Sequence, residues 1–215
     1  MISSLEITIA TNHNYYLSQL PEFILNAHAL GIHGINLYGS QLSDIYQIAD
    51  HTYFLNIAHK HTVLNDIIED VIGIYINKYN GILSGINLMP DMYSITKNDW
   101  GKYQLQLENI VKICSANKMV TRMIVDINKT QFDYQYERLT DICEQIGINN
   151  MIMGSFNSKI LSHIDCGLIL RSLKQRVNIP IGYIGNLNKE ESTHINKMEL
   201  FPIVVPVKSF LSIID

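Results

Sequence analysis

Eight short runs of apolar, β-branched residues, each parted from the next by room for a helix, predict a (β/α)8 barrel. Three observations carry that reading. The runs begin about 20 to 36 residues apart, the length that a strand, a helix and two turns need. Residues at i, i+3, i+4 and i+7 spacing fill the gaps between them. No Pro-, Gly- or Ser-rich linker divides the chain, so residues 1–215 read as one α/β TIM-barrel domain. A doubly wound open sheet gives the same periodicity, and the count of eight favours closure.

In chain order the strands are expected near 5–11 (LEITIAT), 33–38 (HGINLY), 53–58 (YFLNIA) and 84–89 (SGINLM), then 120–126 (VTRMIVD), 149–155 (NNMIMGS), 179–185 (IPIGYIG) and 202–207 (PIVVPV). The first helix is expected near 17–29, with Pro21 in its first turns and Gly31 as a stop signal. A second carries the stripe Leu64, Ile67, Ile68, Val71, Ile72 and Tyr75. Tyr103, Leu107, Ile110, Val111 and Cys114 mark another, and Phe132, Tyr136, Leu139, Cys143 and Ile146 the next.

Composition narrows the function. Apolar residues make up 47% and charged residues 17%, enough for a large core and too apolar for disorder. A net charge of −4 offers no basic footprint, which argues against nucleic acid as a partner. The opening MISSLEITIA lacks the basic and apolar regions of a secretory signal, and no run of 18 apolar residues suggests a membrane span. Cys114, Cys143 and Cys166 form no CxxC pair, so neither a disulfide framework nor a zinc knuckle is expected. The expectation is a cytoplasmic protein with a small-molecule ligand.

Barrels of this kind gather their active sites at the C-terminal strand ends. There the sequence places Thr11, Asn12 and His13; Tyr38, Gly39 and Ser40; His59, Lys60 and His61; and Pro90 and Asp91. Further round come Asp126, Asn128 and Lys129; Ser155, Asn157 and Lys159; Gly185 and Asn186; and Lys208 and Ser209.

The stretch GINLMPDMYSITKNDWGKYQLQLENIVKIC, followed by VTRMIVDINKTQFDYQYERLTDICEQIGINNMIMGSF, resembles the central region of the 2-deoxyribose-5-phosphate aldolase family. HGINLYGSQLSDIYQIA and VPVKSFLSII extend the likeness more weakly, by pattern and spacing rather than identity. The resemblance implies a class I aldolase barrel, in which a lysine on the sixth strand forms a Schiff base with an aldehyde. That position falls on Ile152 or Met153, and neither can be a nucleophile. The family's second lysine falls near Gly182, and its strand-4 aspartate near Asn87. The resemblance therefore implies the fold without the standard mechanism. It also allows a homodimer.

A strand-5 lysine and glutamate of the family map onto Arg122 and Asp126. Alternation puts Arg122, Ile124 and Asp126 on one side of the strand. Facing inward, the pair is either a structural salt bridge spanning two barrel layers or a device in which Arg122 polarises a carbonyl and Asp126 orients it or moves a proton. His59 and His61 share a face. They suit a divalent metal completed by His13, Asp91 or Asp126, or acid–base work, or merely a solvated loop. Lys60 is a candidate relocated amine.

Lys208 and Ser209 lie where the family binds phosphate through the N–H groups that open a short helix, but Pro206 removes one donor there. Gly185-Asn186 stands in place of the family's paired glycines. Tyr38, Tyr183, Tyr93 and Trp100 either line the mouth or pack helices on the barrel, and Met151 and Met153 read as barrel filling. With Asn87, Tyr38 and Ser155 as further contacts, the leading expectation is a divergent aldolase-like lyase. It would act on a small carbonyl or sugar-type, optionally phosphorylated, metabolite, with no cofactor. The alternatives are a catalytically inactive binding or scaffold barrel and a metal-dependent lyase or isomerase built on His59 and His61.

Overall fold

The computed structural model describes residues 5–8, 29, 31–38, 53–59, 66–79, 81–92, 95–96, 98–127, 134–155 and 161–214. Its strands are β1 (Leu5–Thr8), β2 (Ile32–Leu37), β3 (Tyr53–His59), β4 (Leu83–Pro90), β5 (Val120–Asp126), β6 (Asn150–Ser155), β7 (Ile181–Gly185) and β8 (Ile203–Pro206). They are parallel and close in sequence order into a barrel, with β8 returning to β1 in the register Leu5↔Ile203 through Thr8↔Pro206. The open-sheet alternative is thereby set aside. Around the barrel lie α1 (Asp66–Lys78), α2 (Trp100–Ala116), α3 (Tyr134–Ile146), α4 (His163–Lys174), α5 (Lys189–Lys197) and α6 (Val207–Ile214). The helix expected near 17–29 falls outside the described residues, apart from Ala29.

Strand bounds agree with the sequence pattern to within about two residues, and the shifts have local causes. Pro180 cannot donate to a ladder, so β7 starts at Ile181. Val207 already belongs to α6, so β8 ends at Pro206. Residues 9–11, expected to continue β1, lie outside the described residues.

Period-two alternation sorts the strand residues into two cores. Outward residues such as Ile7, Leu55, Leu88, Met123, Met151 and Met153 join the helix stripes in one large cluster. Inward residues Ile124, Ile152, Ile184 and Val204 form a separate cluster, with Met89 packed against it. Met151 and Met153 therefore pack between sheet and helices rather than filling the barrel, because the phase of β6 puts Ile152 inside. This apolar inner cluster is drawn from β5 to β8, whereas the buried inward residues of β1 to β5 include Glu6, Asn36, Asn56, Asn87 and Arg122. Among the described residues no helix is long and apolar enough to cross a membrane.

Ile152 is fully buried in this inner cluster. Ile152→Ala is expected to cost about 2–5 kcal/mol, because the closed barrel cannot collapse around the cavity. The exposed Ile74→Ala, on α1, is expected to cost no more than about 0.5 kcal/mol. Urea unfolding of both variants checks the contrast.

Candidate active site

The polar half of the interior is built from five consecutive strands. Glu6 of β1, Asn36 of β2, Asn56 of β3, Asn87 of β4 and Arg122 of β5 all face inward and are buried. A buried guanidinium keeps its charge and must be matched. Glu6 matches it with a two-pronged pair: Nη1 donates to Oε1 and Nη2 to Oε2, each at 2.8 Å. Nε donates to Oδ1 of Asn87 at 2.8 Å, and Nη2 also donates to Oδ1 of Asn36 at 2.9 Å. The ring of Phe54 lies 3.6 Å from the guanidinium carbon and offers its π face. Gly34 leaves room for the acid, since a Cβ there would stand 2.9 Å from Cδ of Glu6.

The amides carry the network upward. Asn87 donates to Oδ1 of Asn36 at 2.6 Å and to Oδ1 of Asn56 at 2.7 Å. Asn36 donates to Glu6 and to the carbonyl of Ile7. Asn56 in turn directs Nδ2 toward Oγ1 of Thr8, 3.4 Å away. Thr8 is the half-buried last residue of β1, so the upper end of the network is an amide N–H and a hydroxyl.

This arrangement revises the expected Arg122–Asp126 pair. The carboxylate that neutralises Arg122 is Glu6, 116 residues away in sequence. Alternation within one strand reveals i, i+2 neighbours, whereas the true partner is set by barrel closure. Asp126, at the end of β5 and half-buried, is not among the partners of Arg122. Glu6, Asn36 and Asn56 were not singled out in the sequence. Their signal was there: Gly-Ile-Asn-Leu occurs at 34–37 and again at 85–88, and a lone acid interrupts the apolar run of β1.

Strand phase separates the two residues onto which the resemblance maps the sixth-strand lysine. Ile152, not Met153, is the inward residue of β6. Gly182 has its Cβ direction against Pro202, with that residue's carbonyl oxygen 2.7 Å away. None of the eight strands carries a lysine, and among the described residues no lysine is buried.

Around the rim, Tyr38 follows β2 and its hydroxyl donates to Sδ of Met89 at 3.7 Å. Burial raises its pKa, so it stays a phenol at neutral pH. Ser155 ends β6 fully buried, Gly185 ends β7, and Asn186 beyond it is exposed. His59 ends β3 opposite Pro90. Lys208 is exposed on α6 with Ser209 half-buried beside it. Lys60 and His61 lie outside the described residues, as do Thr11, Asn12, His13, Gly39, Ser40, Tyr93, Asn128, Lys129, Asn157 and Lys159. Among the described residues no three His, Cys, Asp or Glu side chains cluster as metal ligands would.

Two aromatics expected at the mouth or in the packing take the packing role. Trp100 meets Tyr103 edge-on at the start of α2. Tyr183 points out of the barrel, and its hydroxyl lies 2.9 Å from Nδ1 of His163, the first residue of α4. Gly185 serves that contact, because a Cβ would stand 3.1 Å from the His163 ring. Burial pushes the Cys166 thiol beside them up to about 12, so it is inert at neutral pH. Burial also lowers the pKa of His163 from 6.5, against a smaller upward pull from Glu191 and the Asn186 backbone.

No family model and no curated protein matches the chain. Solved structures do match. The aldolase QR15 superposes with a TM-score of 0.74 at 14% identity, over 97% of this chain and 91% of that one. A protein assigned as a deoxyribose-phosphate aldolase from Coccidioides immitis gives 0.71 at 9% identity, over 99% and 83%. The N-acetylmannosamine-6-phosphate 2-epimerase of Clostridium perfringens gives 0.64 at 13% identity, over 95% and 86%. At such identities the likeness is one of fold. The chain is a single (β/α)8 barrel of the architecture seen in these enzymes.

Two outcomes follow from the buried groups. Glu6→Gln or Arg122→Met alone is expected to cost about 3–5 kcal/mol, since each strands a partner, while the double variant costs clearly less than the sum. Chemical denaturation of the four proteins measures this coupling. For His163 the unfolded ring takes up a proton near 6.5, above its folded pKa. Its contribution to stability is therefore complete above that pH and lost as pH falls through and below it. Urea midpoints at about pH 5.5 are expected to lie below those at about pH 7.5, with a smaller gap in His163→Gln.

Proposed function

We propose that the mouth of the barrel is an imine-free, aldolase-like site for a small carbonyl or sugar-type metabolite. The observation that carries this reading is the inward polar layer Glu6–Asn36–Asn56–Asn87–Arg122, where a barrel of this kind is usually filled with branched aliphatic side chains. A buried ion pair adds little net stability over an apolar filling, so the layer is better accounted for by what it presents to the mouth. Arg122 draws Oδ1 of Asn87 toward itself, which turns Nδ2 of Asn87 onto Asn56 and leaves Nδ2 of Asn56 directed at Thr8.

Asn56 and Thr8 then offer donors to a carbonyl oxygen, and Arg122 is a positioning residue acting through Asn87. In aldol cleavage a base removes the proton of a β-hydroxyl group. The Cα–Cβ bond breaks, releasing one aldehyde. The electron pair passes to the enolate oxygen facing the donors, and an acid then protonates the α-carbon. Asp126, His59 and His61 are the candidates for moving those protons, with Tyr38 lining the mouth; Ser155, in phase with Met153 on the outward side of β6, supports the strand end from behind. The names of the fold neighbours, aldolase and 2-epimerase among them, are in keeping with carbonyl chemistry.

A second reading, a barrel that binds without turnover, draws support from one feature. Both donors of Asn36 and both donors of Asn87 are spent inside the network.

The test is deuterium exchange at the α-carbon of acetaldehyde, glyceraldehyde and 2-deoxyribose in heavy water, followed by proton NMR, with borohydride trapping in parallel. The expected result is protein-dependent exchange with no covalent adduct. Asn56→Ala and Asp126→Asn should each slow it by about a hundredfold or more without unfolding the barrel. Binding without exchange would favour the non-catalytic reading. A borohydride-fixed adduct on Lys60 or Lys208 would overturn the imine-free mechanism.

A further inference from the structure

We infer that His163 is a pH-sensitive clasp on the rim of the barrel: neutral, it ties the start of α4 to β7 and to the turn beyond β7, and protonated it must let go. The clasp stands on the outer shell by itself, while its bearing on a carbonyl ligand rests on the reading above.

The ring is 2% exposed, at the place where α4 meets β7 and α5. Nδ1 lies 2.9 Å from the Tyr183 hydroxyl, and a hydrogen bond with the backbone of Asn186 raises the basicity of the ring. A backbone carbonyl, which can only accept, has that effect. The one N–H of the neutral ring therefore faces Asn186, and Nδ1 accepts from the Tyr183 hydroxyl, which is the Nε2–H tautomer. Asn186 directly follows β7, Leu187 beyond it is buried, and Asn188 caps α5. One neutral imidazole thus holds the three-residue turn that joins strand to helix.

A charge on this ring is opposed from several sides. Ser162 caps α4, so His163 is the first residue of the helix, at the end where unpaired N–H groups already carry partial positive charge. Gly185 brings the strand backbone against the ring, since a Cβ there would stand 3.1 Å from it. The Tyr183 hydroxyl and the Cys166 thiol are both held protonated by burial, so neither supplies a counter-charge. Asp126 of β5 acts on Cys166, and Asp165 of α4 is exposed and bonded to Ser162.

The carboxylate placed to answer an imidazolium is Glu191 of α5, which draws the pKa of the ring upward. The same carboxylate accepts from Asn188 N–H at 2.9 Å in a reciprocal capping box. An imidazolium therefore competes with the turn for one pair of oxygen atoms. Either the ring leaves for water or Glu191 leaves Asn188, and both loosen residues 186–188.

Amide hydrogen exchange on the intact protein at about pH 5.5 and about pH 7.5, with each rate divided by its intrinsic value, tests the clasp at Asn188. Ile124 in β5 is the internal control. A ring that is neutral when closed and titrates at 6.5 when open lowers protection at Asn188 by up to about tenfold between those conditions. His163→Gln keeps an N–H for Asn186 and an oxygen for Tyr183 but cannot titrate, so its protection is expected to change by less than about twofold. Heteronuclear NMR of the isotopically labelled imidazole is expected to report the Nε2–H tautomer at about pH 7.5.

The inference is overturned by an Nδ1–H tautomer, or by equal pH dependence in wild type and His163→Gln, which would assign the effect to Glu191 or Asp126. A loss at Ile124 as large as that at Asn188 would mean global unfolding and overturn it as well. The labelled ring needs no variant: titration in the folded protein at or above 6.5, with Asn188 still protected, also sinks the clasp. In parallel, α-carbon exchange is expected to fall in acid with Asn188 protection in wild type and not in His163→Gln. If no carbonyl compound exchanges at any pH, the carbonyl reading fails, and the amides still decide the clasp.

Discussion

A guanidinium is a permanently charged group, so the burial of Arg122 dictates much of what surrounds it. The charge requires a carboxylate, and Glu6 has to come from the strand that closes the barrel on the far side. The carboxylate requires space, which Gly34 supplies by having no side chain. The planar face requires cover, and Phe54 lies against it. The remaining donors require acceptors, which Asn36 and Asn87 provide. Five strands are thus tied together by one side chain, and the interior splits into a hydrogen-bonded half and an aliphatic half.

That division explains why the chemistry of a lysine imine has no foothold on the strands. An amine there would have to emerge among Ile124, Ile152, Ile184 and Val204, or from Gly182 against Pro202. The first surroundings would penalise its charge, and the second leave no volume for a side chain. The polar groups sit instead along β1 to β5, so one side of the interior carries hydrogen-bonding groups and the other methyl groups. The outer shell is arranged independently: the His163–Tyr183 pair and Gly185 lock α4 against β7 without reaching the interior.

The architecture was legible in the sequence because it rests on local periodicity. Hydrophobic alternation located the eight strands, and the stripes at Tyr103–Cys114 and Tyr136–Ile146 located helices, since each pattern is complete within a dozen residues. The candidate site was only half legible. Arg122 and Asn87 stood out through the family's spacing, but Glu6 became meaningful only once β8 paired with β1. A single strand shows which side a residue faces but not what stands across from it. The same limit applies to Tyr183 and Gly185, whose partner His163 belongs to a different element.

The network also has a direction. Every amide in it is oriented by its neighbour, beginning at a group that can only donate and ending at Asn56 beneath Thr8. Asn87 is the pivot, because it accepts from Arg122 on one side and donates to two asparagines on the other. An aspartate at that position, which the resembling family carries, can accept on both sides but donate on neither. Asn56 would then have to turn its N–H groups down toward residue 87 and its carbonyl oxygen up. The polarity of the mouth would invert, from a surface that attracts oxygen to one that attracts a proton. One nitrogen atom, buried in the fourth strand, thus sets the sign of the polar surface above it.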